Sequence, residues 1–215
     1  MKISTILTAI AVGTLVGGAN ADVVQVNGNN SSSIENTGAQ FSASLDYSYD
    51  HGDEGLLVIT LTNTSASSVG GYLTGFVFDI ATTDDDFEAE LENASNDDFE
   101  DTGSESANPF GDFDAGAALR GNWNGGGNPS FGLAVGEIGI FEFEIEADDA
   151  SSLTASSFLG ANGDWFAVRF RGLNNGDSDK LLGNTITVVP LPSAAIAGMS
   201  MLGLGLGVRI TRKHR

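Results

Sequence analysis

A strict alternation of apolar and acidic residues at 141–146, within the predicted strand 138–147, constrains the fold of this chain more than any other feature. Apolar side chains occupy the odd positions from Phe141 to Ile145, and glutamates occupy the even positions from Glu142 to Glu146. A period of two puts the two classes on opposite faces of an extended strand, one face buried and one in water. The body of the chain has no sustained period of 3.6 residues. The pattern therefore predicts an all-β fold.

Further segments share this strand character, and turn sequences rich in Gly, Asn, Asp and Ser separate them. They are Val23–Val26, Phe41–Tyr47, Leu56–Thr62, Tyr72–Ile80, Phe131–Val135, Trp165–Arg171 and Thr185–Val189, with a short edge strand at Phe87–Leu91 and one helical turn within Leu153–Leu159. Many short strands of this kind are typical of an antiparallel β-sandwich or a jelly roll. We predict such a domain over residues 22–188.

Three details of this prediction concern side-chain directions and loops. In Tyr72–Ile80 the even positions carry the heavy apolar residues, which predicts that Tyr72 points into the core. Arg169 and Arg171 lie on the polar face of their strand, and pairing with the glutamates of 142–146 would make the two strands neighbours. The glycine-rich segment 108–128 is predicted to form irregular loops.

The charge of the chain is concentrated in its body. The sequence holds 29 Asp and Glu against nine Lys and Arg and has no cysteine. All the acidic residues but only four of the bases lie within 22–188, so this region has a formal charge of −25 (29 acidic against four basic). Such a surface repels nucleic acid and attracts cations, including Ca²⁺. The lack of cysteine excludes disulfides and thiolate metal sites.

The first 21 residues are typical of a secretory signal peptide. Lys2 provides a positive start, an apolar run follows to Val16, and Ala19 and Ala21 form a small-x-small cleavage site. We expect the mature chain to begin near Asp22.

The last 27 residues have three parts. Residues 189–193 form a proline-marked motif with Val189, Pro190, Leu191 and Pro192. Residues 194–208 are apolar and are predicted to form a single hydrophobic helix, although the span is shorter than the ~20 residues that a transmembrane helix needs. The end, 209–215, is basic, with Arg209, Arg212, Lys213 and Arg215. Cations after an apolar helix predict a cytoplasmic C-terminus. A permanent anchor and a transient, cleavable segment are both compatible with this pattern.

This tail resembles the PEP-CTERM sorting signal of exported proteins of Gram-negative bacteria. The motif in that family is usually Val-Pro-Glu-Pro, and Leu191 here stands in place of the glutamate, as in a VPLP-type variant. The resemblance implies recognition by a membrane exosortase, which acts as a protease or transpeptidase, and removal of the tail. It also implies transient anchoring in the inner membrane, followed by delivery to the cell surface alongside exopolysaccharide. It implies no catalytic activity for the body.

Candidate sites within the body are sparse. Acidic loops offer oxygen ligands for calcium, and the candidate ligands are Asp84, Asp85, Asp86, Asp177 and Asp179. The same loops are also typical of a solvated surface. Four aromatic residues in and near the glycine-rich region form either a sugar-stacking platform or core beneath long loops: Phe110, Phe113, Trp123 and Phe131. His51, the one histidine of the body, lies in a predicted turn, and no catalytic residue is assigned.

The sequence thus predicts a non-enzymatic exported protein of the cell surface or extracellular matrix, such as a biofilm. Its expected partners are an exosortase and exopolysaccharide, with no nucleic acid and with membrane contact through the tail. Two alternatives stay open: a calcium-dependent carbohydrate-binding module and a secreted hydrolase with a carboxylate pair.

Overall fold

A computed structural model of the chain describes residues 22–160 and 165–186. The signal peptide, the sorting motif, the hydrophobic helix and the basic end predicted above all lie outside these residues. Within the described part, the protein consists mostly of antiparallel β-sheet, which confirms the all-β prediction. None of the helices in that part has the length and hydrophobicity to cross a bilayer.

Thirteen strands make up the sheets of the described part. In chain order they are β1 (Asp22–Gly28), β2 (Phe41–His51), β3 (Glu54–Asn63), β4 (Gly70–Phe78), β5 (Glu88–Ala94), β6 (Phe99–Asp101), β7 (Glu105–Ser106), β8 (Asp112–Phe113), β9 (Ala115–Leu119), β10 (Ile138–Glu146), β11 (Phe166–Leu173), β12 (Asp179–Leu182) and β13 (Asn184–Ile186). A six-stranded sheet has the order β13-β1-β2-β3-β10-β5, and a five-stranded sheet has the order β12-β11-β4-β9-β6. β7 and β8 form a separate two-stranded ribbon.

Apolar side chains of the two large sheets share one buried cluster. Phe141 of β10 meets Phe76 of β4 edge-on, with ring centroids 4.7 Å apart, and Phe143 meets Phe78 at 5.1 Å. The alternation that identified β10 explains these contacts, because its odd positions are fully buried and its glutamates face outward. The predicted edge strand is also confirmed, since β5 lies at the end of the six-stranded sheet.

The prediction that Tyr72 points into the core is wrong. The register between β4 and β11 shifts at this point, because Gly75 and Leu73 of β4 pair with two consecutive residues of β11. Thr74, which lies between them, is therefore the extra residue of a β-bulge. The bulge reverses the alternation on its N-terminal side. Leu73 is therefore fully buried, whereas Tyr72 is only partly buried.

The prediction of irregular loops throughout 108–128 is also wrong. β9 is a buried inner strand between β4 and β6, although its sequence, AGAAL, has little intrinsic preference for extended structure. Its small side chains allow a close approach to β4. A Cβ added at Gly116 would collide with the carbonyl oxygen of Phe76, so this position requires glycine.

The predicted strand at Phe131–Val135 is replaced by other structure. A single 3-10 turn, Pro129–Phe131, is capped by the side chain of Asn128, and Leu133 makes only an isolated bridge to Leu73. Pro129 favours the start of this turn because its fixed φ suits a first helical position. The helical turn expected within Leu153–Leu159 is confirmed as the 3-10 helix Ala155–Leu159.

The expected pairing of Arg169 and Arg171 with the glutamates of β10 is wrong, because β11 belongs to the five-stranded sheet. The neighbours of β10 are β3 and β5. Glu144 lies opposite Glu90, and Glu146 lies opposite Glu88, so glutamates face glutamates at this edge. Like charges directly opposite one another are unfavourable. They also discourage another strand from adding to the exposed edge.

The first and last described strands lie side by side. β1 and β13 are antiparallel, and Gln25 is opposite Ile186. The first described residue, Asp22, and the last, Ile186, therefore lie towards the same end of neighbouring strands.

Candidate functional site

An acidic cleft is lined by five carboxylates of the described surface. Its volume is about 270 Å³, and carboxylates from three parts of the chain line it: Asp53, Asp84, Asp86, Glu146 and Asp148. A glutamate ladder on β5 and β10 continues from the cleft through Glu146, and its members are Glu88, Glu90, Glu144 and Glu146. The pKa of Glu146 is raised, first by partial desolvation and then by the negative charges of Glu88 and Glu144. We call the cleft and the ladder together the acidic face.

Two of the predicted calcium ligands, Asp84 and Asp86, lie in this cleft, and Asp85 is exposed between them. The oxygens of Asp84 already accept hydrogen bonds from backbone N–H groups. One bonds to the N–H of Asp86 at 2.9 Å and the other to the N–H of Asp148 at 2.9 Å. The carboxylate of Asp84 thus ties its own loop to the loop that follows β10.

Asp149 strengthens the same connection. Its two oxygens accept hydrogen bonds from the hydroxyl of Thr82 at 2.5 Å and from the N–H and hydroxyl of Thr83 at 2.9 and 2.8 Å. The bond from Thr82 is the main reason that the pKa of Asp149 is lowered. Hydrogen bonds to the ionised form have this effect because they stabilise the charge. Acidic residues here have a clear structural role as acceptors for loop donors.

The other predicted calcium ligands, Asp177 and Asp179, do not join the acidic cleft. Asp179 lines a different cleft and is only 2% exposed. Its carboxylate accepts hydrogen bonds from the hydroxyls of Ser33 and Thr37, both at 2.5 Å. Asp177 is exposed and accepts a hydrogen bond from the side chain of Asn175 at 2.7 Å. The structure therefore separates the five predicted ligands into two groups.

Within the described ranges, one group of three residues has its potential metal-ligand atoms close together, namely Asp50, His51 and Glu54. Nδ1 of His51 lies 3.2 Å from the carboxylate of Glu54. The pKa of His51 is raised by a backbone hydrogen bond and by the charges of Glu54 and Asp50. Contrary to the predicted turn position, His51 is the last residue of β2. The group lies on the hairpin end and is largely exposed, which is typical of a surface ion pair.

The four aromatic residues of the glycine-rich region take different positions. Trp123 and Phe113 are buried and belong to a small second core, in which Phe110 is partly buried. Neither buried ring is available to stack on a sugar, so the interpretation as core beneath loops is confirmed for them. Phe131 is 45% exposed and stands apart from that core.

Asp79 and Asp114 form a carboxylate pair that sequence reasoning did not single out. Asp79 follows β4 and Asp114 precedes β9, and their carboxyl groups are close enough to share a hydrogen-bonded proton. Partial burial and this contact raise the pKa of Asp79 to about 7. Asp114 also accepts a hydrogen bond from the backbone N–H of Ile80 at 2.8 Å, which is a structural role. Carboxyl groups in direct contact are closer than the ~5 Å or more found in glycoside hydrolases.

We expect Asp79→Asn to stabilise the protein at alkaline pH. Because the folded pKa is raised, the folded state holds a proton that the unfolded state releases, so stability falls as the pH rises from about 4 through 7. Asparagine keeps the hydrogen bond to Asp114 without a charge. After solvent screening, the gain at pH 8 should be about 1 kcal/mol, or about 2–4 °C in melting temperature.

Melting curves of the wild type and the variant at pH 5 and pH 8 test this expectation. The control is Asp85→Asn, which removes one negative charge from an exposed position. An equal gain from both variants would mean that general charge repulsion, and not the pair, is responsible.

The residues of the predicted sorting motif, cleavage site and basic end lie outside the described ranges. Comparisons with protein-family models, with curated proteins and with solved structures found no match to this chain.

Proposed function

We propose that this chain is a non-enzymatic exported protein of the cell surface or extracellular matrix, sorted by an exosortase-type system. The observation that carries the proposal is the segregation of charge and hydropathy along the sequence. A body with a formal charge of −25 (29 acidic against four basic residues) lies between two apolar ends that contain no acidic residue. Both ends are typical of segments that a membrane recognises, and the body is typical of an exported surface.

The positions of the first and last described strands support the proposal. β1 and β13 are neighbours in the six-stranded sheet, so Asp22 and Ile186 lie towards the same end of it. A C-terminal hydrophobic segment that follows β13 would then leave the domain at the end where the mature chain begins, so one end of the domain can face the membrane. We further propose that the two sheets form a β-sandwich, since their aromatic residues meet in a common core.

The acidic face supports an exported role without catalysis. Asp84 serves as an acceptor for loop N–H groups, and glutamates face one another across β5 and β10. Strong negative charge keeps a protein soluble and prevents association with anionic surfaces.

The acidic cleft also favours a second candidate function, calcium-dependent carbohydrate binding. If the protein has this function, its melting temperature should rise more with Ca²⁺ than with Mg²⁺ at equal ionic strength.

Substitution of the proline motif tests the sorting proposal. The double change Pro190→Ala and Pro192→Ala should leave the tail attached and keep the protein in the membrane fraction of a host with an exosortase. The matched control is Leu191→Glu, which creates the usual family motif and should still be processed. Normal processing of the double-alanine variant would contradict recognition of this motif.

A further inference from the structure

Three of the four basic residues of the body lie on the outer face of the five-stranded sheet. Arg169 and Arg171 alternate with the buried residues of β11, and Lys180 of β12 lies directly opposite Arg169. Arg171 donates a hydrogen bond to the carbonyl of Gly126 at 2.8 Å and so holds the glycine-rich loop. The fourth base, Arg120, is paired with Asp98 at 3.6 Å.

Arg169 and Lys180 have no acidic partner among the described residues, although the body contains 29 carboxylates. The Nε atom of Arg169 is buried and has no hydrogen-bond partner. Nζ of Lys180 donates to the carbonyl of Asn108 at 2.7 Å and lies 5.8 Å from the centre of the Trp123 ring. Burial is the main cause that lowers the pKa of both groups. The second cause is a neighbouring positive charge, that of Arg171 for Arg169 and that of Arg169 for Lys180. Neither charged group forms a direct ion pair with a described residue, so the carboxylates of the same cleft offset the repulsion between the two cations only at a distance, and a bound anion would relieve it.

Both cations line a cleft of about 260 Å³. Ile34 and Pro109 add apolar surface, and Asn108 and Ser178 add polar groups. Glu35 is an exposed carboxylate of the same lining. Asp179 also belongs to the lining, but its carboxylate is committed to Ser33 and Thr37. In the pairing of β11 with β12 it lies opposite Phe170, the buried neighbour of Arg169.

We propose that this cleft binds a small organic carboxylate about as large as one sugar acid, through the guanidinium of Arg169 and the ammonium of Lys180. The planar fork of an arginine matches the two oxygens of a carboxylate. The apolar side chains beside the cations suit the carbon skeleton of such a molecule. A polyanion is disfavoured, because the field of the strongly acidic body repels extended negative charge. The site does not depend on the proposed route of export.

The proposal is tested by titrating the full chain with sodium glucuronate at constant ionic strength. Tryptophan fluorescence and the melting temperature are the two readouts. The neutral control ligand is glucose, and inorganic phosphate is the second anion. We expect saturable binding of glucuronate in the millimolar range and weaker binding of glucose and phosphate. Equal binding of glucose would overturn the anion site, and tighter binding of phosphate would overturn the carboxylate class.

Single substitutions in the cleft test whether glucuronate binds there. Lys180→Gln should weaken glucuronate binding by about tenfold, the effect of one lost charge-assisted hydrogen bond. Arg169→Lys keeps the charge but removes the fork and should also weaken it, whereas Glu35→Gln should strengthen it. Arg120→Gln is the matched control, because it removes a positive charge from an exposed position elsewhere. An equal loss in Arg120→Gln and Lys180→Gln would show a general charge effect and contradict the site.

Discussion

Phe76→Ala should destabilise the protein by about 3–5 kcal/mol, the usual cost of removing a fully buried phenylalanine. The ring of Phe76 is completely buried. Its centroid lies 4.7 and 6.1 Å from Phe141 and Phe143 of the six-stranded sheet and 5.8 Å from Phe166 of its own sheet. Truncation therefore leaves a cavity where the two sheets meet, and the neighbouring strands cannot close it without losing their pairing.

Urea unfolding of the full chain measures this loss. The control is Phe131→Ala, which removes a ring of the same size from an exposed position and should cost no more than about 0.5 kcal/mol. Equal midpoints for the two variants would show that the two sheets do not depend on a common core, and the β-sandwich proposal would then be wrong.

Asp179→Ala should destabilise the protein by about 2–4 kcal/mol, with or without calcium. The carboxylate of Asp179 is buried and accepts hydrogen bonds from Ser33, Thr37 and the N–H of Lys180. These bonds fix the loop between β1 and β2 to the start of β12. Alanine leaves the donors without their charged acceptor, and this cost does not involve a metal ion.

The control for this variant is Asp177→Ala, which changes an exposed carboxylate two residues away and should cost no more than about 0.5 kcal/mol. Unfolding curves of both variants are measured in the presence of EDTA and again with CaCl₂. If the cost of Asp179→Ala disappears in EDTA, the carboxylate acts as a calcium ligand and its structural role here is rejected.

Much of the fold could be predicted from local alternation, as β10 shows. Its buried phenylalanines and outward glutamates follow directly from the period-two pattern. The exceptions arise from interactions between distant segments. Tyr72 leaves the core because a bulge opposite β11 changes the register. β9 is a strand because β4 and β6 provide its hydrogen-bonding partners, while its own residues show little preference.

The candidate site was harder to predict, because acidic residues occur throughout the body. The predicted ligand Asp179 looks in sequence like any other loop carboxylate, and its donors Ser33 and Thr37 lie more than 140 residues earlier. The proximity of Asp79 to Asp114 and of Arg169 to Lys180 likewise depends on strand order. A strand order that puts glutamates opposite glutamates could not be anticipated from charge complementarity.

We propose that the tail is a sorting signal that is removed after export. Intact mass spectrometry of the protein recovered from the cell surface of an exosortase-containing host tests it most directly. We expect a mature chain that begins near Asp22 and lacks residues 190–215. Surface protein that still carries residues 190–215 would contradict it and would identify the tail as a permanent anchor.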